Sequence, residues 1–116
     1  MSCSCCDGMG GEYFEKLIIS GTPDEIDKRL SAIPAKETIP EQWCVQIFAR
    51  ILKKNKVILV TSFLSHELVR KANMIPASNL DEAMQIAYEL KGKDATVAVI
   101  PDGVAILAVK NGNDCL

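Results

Sequence analysis

Residues 37–62 read Glu-Thr-Ile-Pro-Glu-Gln-Trp-Cys-Val-Gln-Ile-Phe-Ala-Arg-Ile-Leu-Lys-Lys-Asn-Lys-Val-Ile-Leu-Val-Thr-Ser, and the fold is decided there. The stretch predicts one long helix running directly into one buried strand. Thr38 with Glu41 three residues on has the spacing of a capping box, in which each side chain accepts from the other residue's backbone N–H. Pro40 would then lie in the first helical turn, where its missing N–H costs nothing. Cys44, Ile47, Phe48, Ile51 and Leu52 recur at helical spacing, with Val45 beside them, and predict the face turned to the core. Residues 57–60 form a continuous apolar run that ends in Thr61-Ser62, the pattern of a strand buried on both faces of a parallel sheet.

Trp43, the one tryptophan, does not belong to that predicted face. At about 100° per residue it points roughly 120° away from the centre of the face. Gln46 and Arg50, at i+3 and i+7, share its side of the helix. Trp43 fits the edge of the core or a place beneath a loop. It equally fits the wall of a cleft or interface, with Gln46 and Arg50 as donors. Periodicity is compatible with both.

Outward from this stretch the chain alternates helices and apolar strands. Residues 12–20 predict a short helix with Tyr13, Phe14, Leu17 and Ile18 on one side and Gly21 as its stop. Thr22-Pro23-Asp24-Glu25 is a second capping box, opening a helix with Ile26, Leu30 and Ile33 inward that closes before Pro34. Ser65 can cap a helix carrying Leu68, Val69 and Ala72, and residues 74–77 allow a short edge strand. Ser78-Asn79-Leu80-Asp81 opens a further helix with Leu80, Ala83, Met84, Ala87 and Leu90 on one face and Gly92 as its cap. Residues 95–100 predict a second buried strand, Pro101-Asp102-Gly103 a turn, and residues 104–109 a returning strand of an antiparallel hairpin. The tail from Asn111 is polar and expected to be mobile. The expectation is one α/β domain, layered, with a small mixed and partly parallel sheet flanked by helices. Residues 1–36 form a helical lead-in, 37–110 the α/β core and 111–116 the tail. By analogy with such sheets, ligands collect beyond the C-terminal strand ends, which points to Thr61, Ser62 and the Ser65 turn.

Composition narrows the function. A chain of 116 residues that is 48% hydrophobic can bury a core. Its 13 basic and 15 acidic residues are interspersed, with a net charge of −2, and offer no footprint for nucleic acid or an anionic membrane. Lys53, Lys54 and Lys56 form the densest basic cluster, at a helix C-terminus where cations suit the dipole. No run is long enough for a membrane-spanning helix, and the first residues lack the features of a signal peptide. Five cysteines (Cys3, Cys5, Cys6, Cys44 and Cys115) are an odd number with one on a predicted core face, which fits a reducing cytoplasm better than a disulfide framework.

Catalytic constellations are scarce. His66 is the only histidine, placed in the first turn of a helix, and no Ser/His/Asp or Cys/His pairing can be argued for it. Gly8, Gly10 and Gly11 precede a helix without the spacing of a dinucleotide loop. Cys3-x-Cys5-Cys6 has metal-binding chemistry, but a closed site takes four ligands in two spaced pairs. Cys44, Cys115 and His66 make no second pair, so ordinary thiols near a turn are the expectation. A small thiol metal-binder is a further alternative that metal analysis would check.

Several motifs in one order carry a resemblance. They are Cys6-Asp7-Gly8-Met9-Gly10-Gly11-Glu12, then Thr38-Ile39-Pro40-Glu41-Gln42-Trp43-Cys44-Val45-Gln46, then Val60-Thr61-Ser62. Ile75-Pro76-Ala77-Ser78 with Leu80-Asp81-Glu82-Ala83, and Val99-Ile100-Pro101-Asp102-Gly103, complete the series. From about Cys6 to about Lys110 the chain resembles the C-terminal domain of the nickel-dependent lactate racemase family. The resemblance implies a nickel pincer nucleotide, derived from nicotinic acid and held covalently by a lysine. It implies inversion of a 2-hydroxy acid by removal and return of hydride, with histidines as acid and base. Those groups belong to the family's N-terminal domain, and the active site lies between the two domains. The tryptophan matched by Trp43 lines that site, and Gln46 follows the same motif. This chain has no histidine pair and no cofactor-anchoring lysine motif, so no catalytic residue is assigned to it. Loss of the acid–base groups alone would cost roughly 10²–10⁴-fold. Two functions follow as expectations. One is a C-terminal part of a racemase or epimerase, inactive alone and completed by an N-terminal racemase domain on another chain. The other is a stand-alone α/β binding or interaction domain without catalysis.

Overall fold

The computed structural model describes residues 1–101, 103, 109–110 and 114–115. Its elements in order are α1 (Glu12–Ile18), α2 (Pro23–Ser31), a 3-10 turn (Ala35–Glu37), α3 (Gln42–Lys54), β1 (Ile58–Val60), α4 (His66–Lys71), β2 (Ile75–Ala77), α5 (Leu80–Lys91), β3 (Val109–Lys110) and β4 (Asp114–Cys115). The architecture is a small α/β fold. Strands β1 and β2 pair in parallel, Leu59 opposite Pro76, while β3 and β4 form a separate antiparallel pair.

Local chemistry explains most helix starts. At α2 both halves of the capping box form: Thr22 Oγ1 accepts from the Glu25 N–H and Glu25 accepts from the Thr22 N–H at 2.9 Å. Ser65 Oγ accepts from Leu68 N–H at 3.2 Å and opens α4. At α5 the cap sits one residue later than its expected place. Asn79 is the N-cap, accepting from Glu82 N–H at 2.8 Å, and Glu82 accepts from Ser78 N–H at 2.7 Å.

The start of α3 corrects the expected Thr38–Glu41 box. Thr38 instead donates its hydroxyl to the Ala35 carbonyl at 2.9 Å, closing the 3-10 turn. Glu41 is the N-cap residue, left-handed at φ 61°, and its carboxylate accepts from Phe14 N–H at 3.0 Å. Phe14 is the third residue of α1, so a side chain from the mouth of α3 supplies the missing cap of α1. A Cβ on Gly11 would overlap that carboxylate and oblige it to move. The box failed because Glu41 has a better use for its carboxylate across the fold.

Ile18, Ile26, Leu30, Val45 and Ala49 are 0% exposed, and with Leu59, Val69, Ala72 and Met74 they make one core where α1 and α2 pack on α3. The buried stripe of α3 is Gln42, Val45, Ala49 and Leu52. The expected core face was therefore set partly on the wrong side of the helix: Ile47 and Ile51 are 51% and 43% exposed. Gln42 pulls the stripe round. Its buried amide accepts from Ile39 N–H at 3.1 Å and donates to the Leu30 carbonyl at 2.9 Å, pinning α3 to the end of α2.

Residues 95–100 carry no strand, and Val99 is 82% exposed. An apolar run asks for burial but cannot supply its own ladder partner. The expected return over 104–108 lies outside the described residues. Lys110 and Val109 pair instead with Asp114 and Cys115, so the segment expected to be a free tail contributes β4. At the other end, Cys3 N–H donates to the Val60 carbonyl at 3.0 Å and Val60 N–H to the Met1 carbonyl at 2.9 Å. Residues 1–3 thus lie along β1, parallel to it. Nothing in Met-Ser-Cys announces a strand, since pairing here uses only backbone.

Candidate functional site

Two features of the surface ask for an explanation beyond stability. The first is the outer side of α3. Trp43 is 66% exposed, and with Ile47 and Ile51 at i+4 and i+8 it makes an apolar ridge along the helix. Gln46 and Arg50, expected as donors beside Trp43, turn toward α2. Gln46 Nε2 donates to Ser31 Oγ at 3.2 Å, and Arg50 Nε to Asp27 Oδ1 at 3.0 Å. Trp43 is left as a bare aromatic surface.

The second feature is a cavity of about 590 Å³ under the N-terminal turn. Residues 3–10 form its rim, and Phe14, Phe48, Leu59, Leu64 and Met74 form its apolar wall. Phe14 and Phe48 meet with ring centroids 6.2 Å apart, tilted by 42°, joining α1 to α3 behind it. The turn is held in place by Gly8 at φ 87° and Gly10 at φ 123°, conformations that glycine adopts without strain. Thr61, buried at the end of β1, donates its hydroxyl to the Ser4 carbonyl at 3.0 Å. The strand end expected to form a rim is thus occupied by the cysteine turn. Burial first, then the neighbouring Cys3 thiol, pushes the Cys5 thiol above its ordinary value, against a smaller opposite effect of the Thr61 hydroxyl.

The two features are joined at one point. Gly11, where the turn ends, meets the carboxylate of Glu41, two residues before Trp43. His66, the only histidine, is half-buried in the first turn of α4. Among the described residues no group of three or more His, Cys, Asp or Glu side chains is placed to hold a metal ion. Also among them, no helix is long and apolar enough to cross a membrane. Sequence reasoning missed the cavity because its wall is gathered from three elements, α1, α3 and β1, and from the connecting segments that carry Leu64 and Met74. The aromatic pair Phe14 and Phe48 was read only as two separate core faces.

Comparison with known proteins gives this geometry a family. The lactate racemase C-terminal domain family matches residues 1–108. A lactate racemase of Thermoanaerobacterium thermosaccharolyticum is 39% identical over 108 residues, covering 92% of this chain and 25% of the relative. One from Lactiplantibacillus plantarum is 41% identical over 102 residues, covering 87% of this chain and 24% of the relative. The solved structure of the lactate racemase apoprotein from Thermoanaerobacterium thermosaccharolyticum superposes with a TM-score of 0.86 at 39% identity, over 91% of this chain and 26% of that one. The chain therefore spans about a quarter of the length of the curated relatives it matches. With nearly all of its residues inside the match, the chain belongs to the lactate racemase C-terminal domain family.

Proposed function

We propose that this chain is the C-terminal part of a lactate racemase-like isomerase acting on lactate or a related 2-hydroxy acid. It contributes one wall of an active site completed by an N-terminal racemase domain, and it is inactive without that domain. The observation that carries this reading is coverage: about nine-tenths of the chain aligns with only a quarter of proteins named lactate racemase. The exposed Trp43 supports it, because a large aromatic side chain left open on α3 beside Ile47 and Ile51 is the kind of apolar patch that meets a partner surface. In this proposal Trp43 faces the cleft, and Gln46 holds α3 to α2 behind it.

The chain's own residues do not fit the nickel pincer nucleotide that the family implies. The single histidine stands apart on α4, and no three metal-binding side chains converge among the described residues. No step through nickel is assigned to this chain. Its role is to shape the cleft and exclude water, while proton and hydride handling belong to the N-terminal domain.

The test is affinity capture of this chain from its native extract, followed by a lactate racemisation assay on what is retained. Recovery of a protein matching the rest of a lactate racemase, active with this chain and at least about tenfold weaker with Trp43→Ala, is the expected result. Turnover by the pure chain would overturn the claim of inactivity. A second reading, a stand-alone interaction domain, is favoured by a core that closes within the chain itself. Capture of no racemase part by a folded, stable chain would select it.

A further inference from the structure

The cavity beneath the N-terminal turn has an unusual lining. The chain carries five cysteines and four methionines, and six of these sulfur-bearing residues line this one cavity: Met1, Cys3, Cys5, Cys6, Met9 and Met74. They come from two places. The N-terminal segment, residues 1–9, brings five of them, and Met74 approaches from the segment before β2. No lysine, arginine or histidine is among the lining residues, whereas Asp7 is. The α-amino group of Met1 is engaged with the Ile58 carbonyl at 2.9 Å. Cys3 and Cys6 are exposed and Cys5 is half-buried, so the thiols are reachable from solvent.

This set selects among ligands. A closed zinc or iron–sulfur centre takes four converging ligands, and no three His, Cys, Asp or Glu side chains converge among the described residues. Hard cations take oxygen, of which the cavity offers little beyond Asp7. Thiolate and thioether sulfur are the ligands that favour monovalent copper, a soft ion that two sulfurs can hold. Cys3 and Cys5, two apart, supply such a pair on a backbone tied to the strand end through the Cys3 N–H on the Val60 carbonyl and the Thr61 hydroxyl on the Ser4 carbonyl between them. Met74 and Met9 stand on the wall as weaker thioether donors.

We propose that the sulfur-lined cavity is a binding site for a soft monovalent cation, Cu(I), held by Cys3 and Cys5 with thioether support from the wall. The site stands on its own residues and not on the racemase reading. Binding exchanges thiol protons for the metal, with no change in oxidation state.

The test is anaerobic titration of the reduced chain with Cu(I) against a chromophoric copper chelator. The expected result is uptake of about one ion per chain, as a single sulfur site requires, with loss of that uptake in the Cys3→Ser/Cys5→Ser variant. Cys44→Ser, outside the cavity, keeps it. Circular dichroism establishes that the double variant is folded. Should it unfold, X-ray absorption of the copper-loaded wild type decides instead, a sulfur-only first shell being expected. Failure to compete with the chelator, full uptake by a folded double variant, or a shell of nitrogen and oxygen would each overturn the proposal.

Discussion

Val45, Ala49 and Leu52 on one side of α3, and Trp43, Ile47 and Ile51 on the other, each follow a helical spacing and meet opposite fates. The buried stripe contains an alanine and a glutamine, while the exposed ridge contains the larger and more hydrophobic side chains. Area alone would choose the other orientation, at about 25 cal/mol per Å² of apolar surface. What overrules it is fit. Ala49 in the middle of the stripe permits close helix packing, and Gln42 bonds two backbone groups at once, the half-buried Ile39 N–H and the buried Leu30 carbonyl. The difference separates two uses of hydrophobic surface: one side of α3 serves the fold and the other is left for something outside it.

Neighbouring residues on the two sides make the sharpest test. Leu52 is 8% exposed and Ile51 is 43% exposed. Leu52→Ala should lower unfolding stability by about 3 kcal/mol, the cost of a core cavity. Ile51→Ala should lower it by about 0.5 kcal/mol or less, as a surface truncation does. Urea unfolding of the two variants measures both. Equal losses would break the comparison and put the ridge back in the core.

Gln42→Leu addresses what sets the orientation. The change adds apolar volume to the buried stripe, so hydrophobicity by itself predicts a gain. The hydrogen bonds predict a loss of about 1 kcal/mol, because the half-buried Ile39 N–H loses its partner and the buried Leu30 carbonyl keeps only its bond from the Ile33 N–H. Thermal unfolding distinguishes the two signs directly.

These same residues show how far the sequence could be read. The α2 capping box, the Ser65 cap and the strand after α3 were legible because each is a local pattern with one physical meaning. The family was legible because several such patterns occur in order. The rotation of α3 was not, since Gln42 draws its meaning from Leu30, twelve residues away. Glu41 misled for the same reason: its natural local partner was Thr38, and its actual partner is the N-terminus of α1. Of the candidate site, Trp43 could be seen as an outlier, but not the employment of Gln46 and Arg50 against α2. The cavity could not be seen at all, because three cysteines in a turn say nothing about Phe48, Leu64 or Met74.

The smallest effect concerns the polar seam between α2 and α3, which runs between the two stripes. Asp27 accepts from Lys53 at 3.1 Å and from Arg50 at 3.0 Å, and these two bonds, Lys53 first, hold its carboxyl below the usual carboxylate range. A depressed pKa in the folded state means that the contribution is present above the ordinary aspartate value and is lost as pH falls through the folded value. Asp27→Asn should therefore be slightly less stable than the parent at pH 7. The gap should narrow as the solution becomes acid and close once the parent's carboxyl is protonated. Salt should shrink the gap at neutral pH, because the Arg50 side chain in particular is open to solvent. A gap that persisted in acid would mean that Asp27 acts through packing and not charge. The rotation of α3 would then rest on Gln42 and Ala49, with the seam merely following.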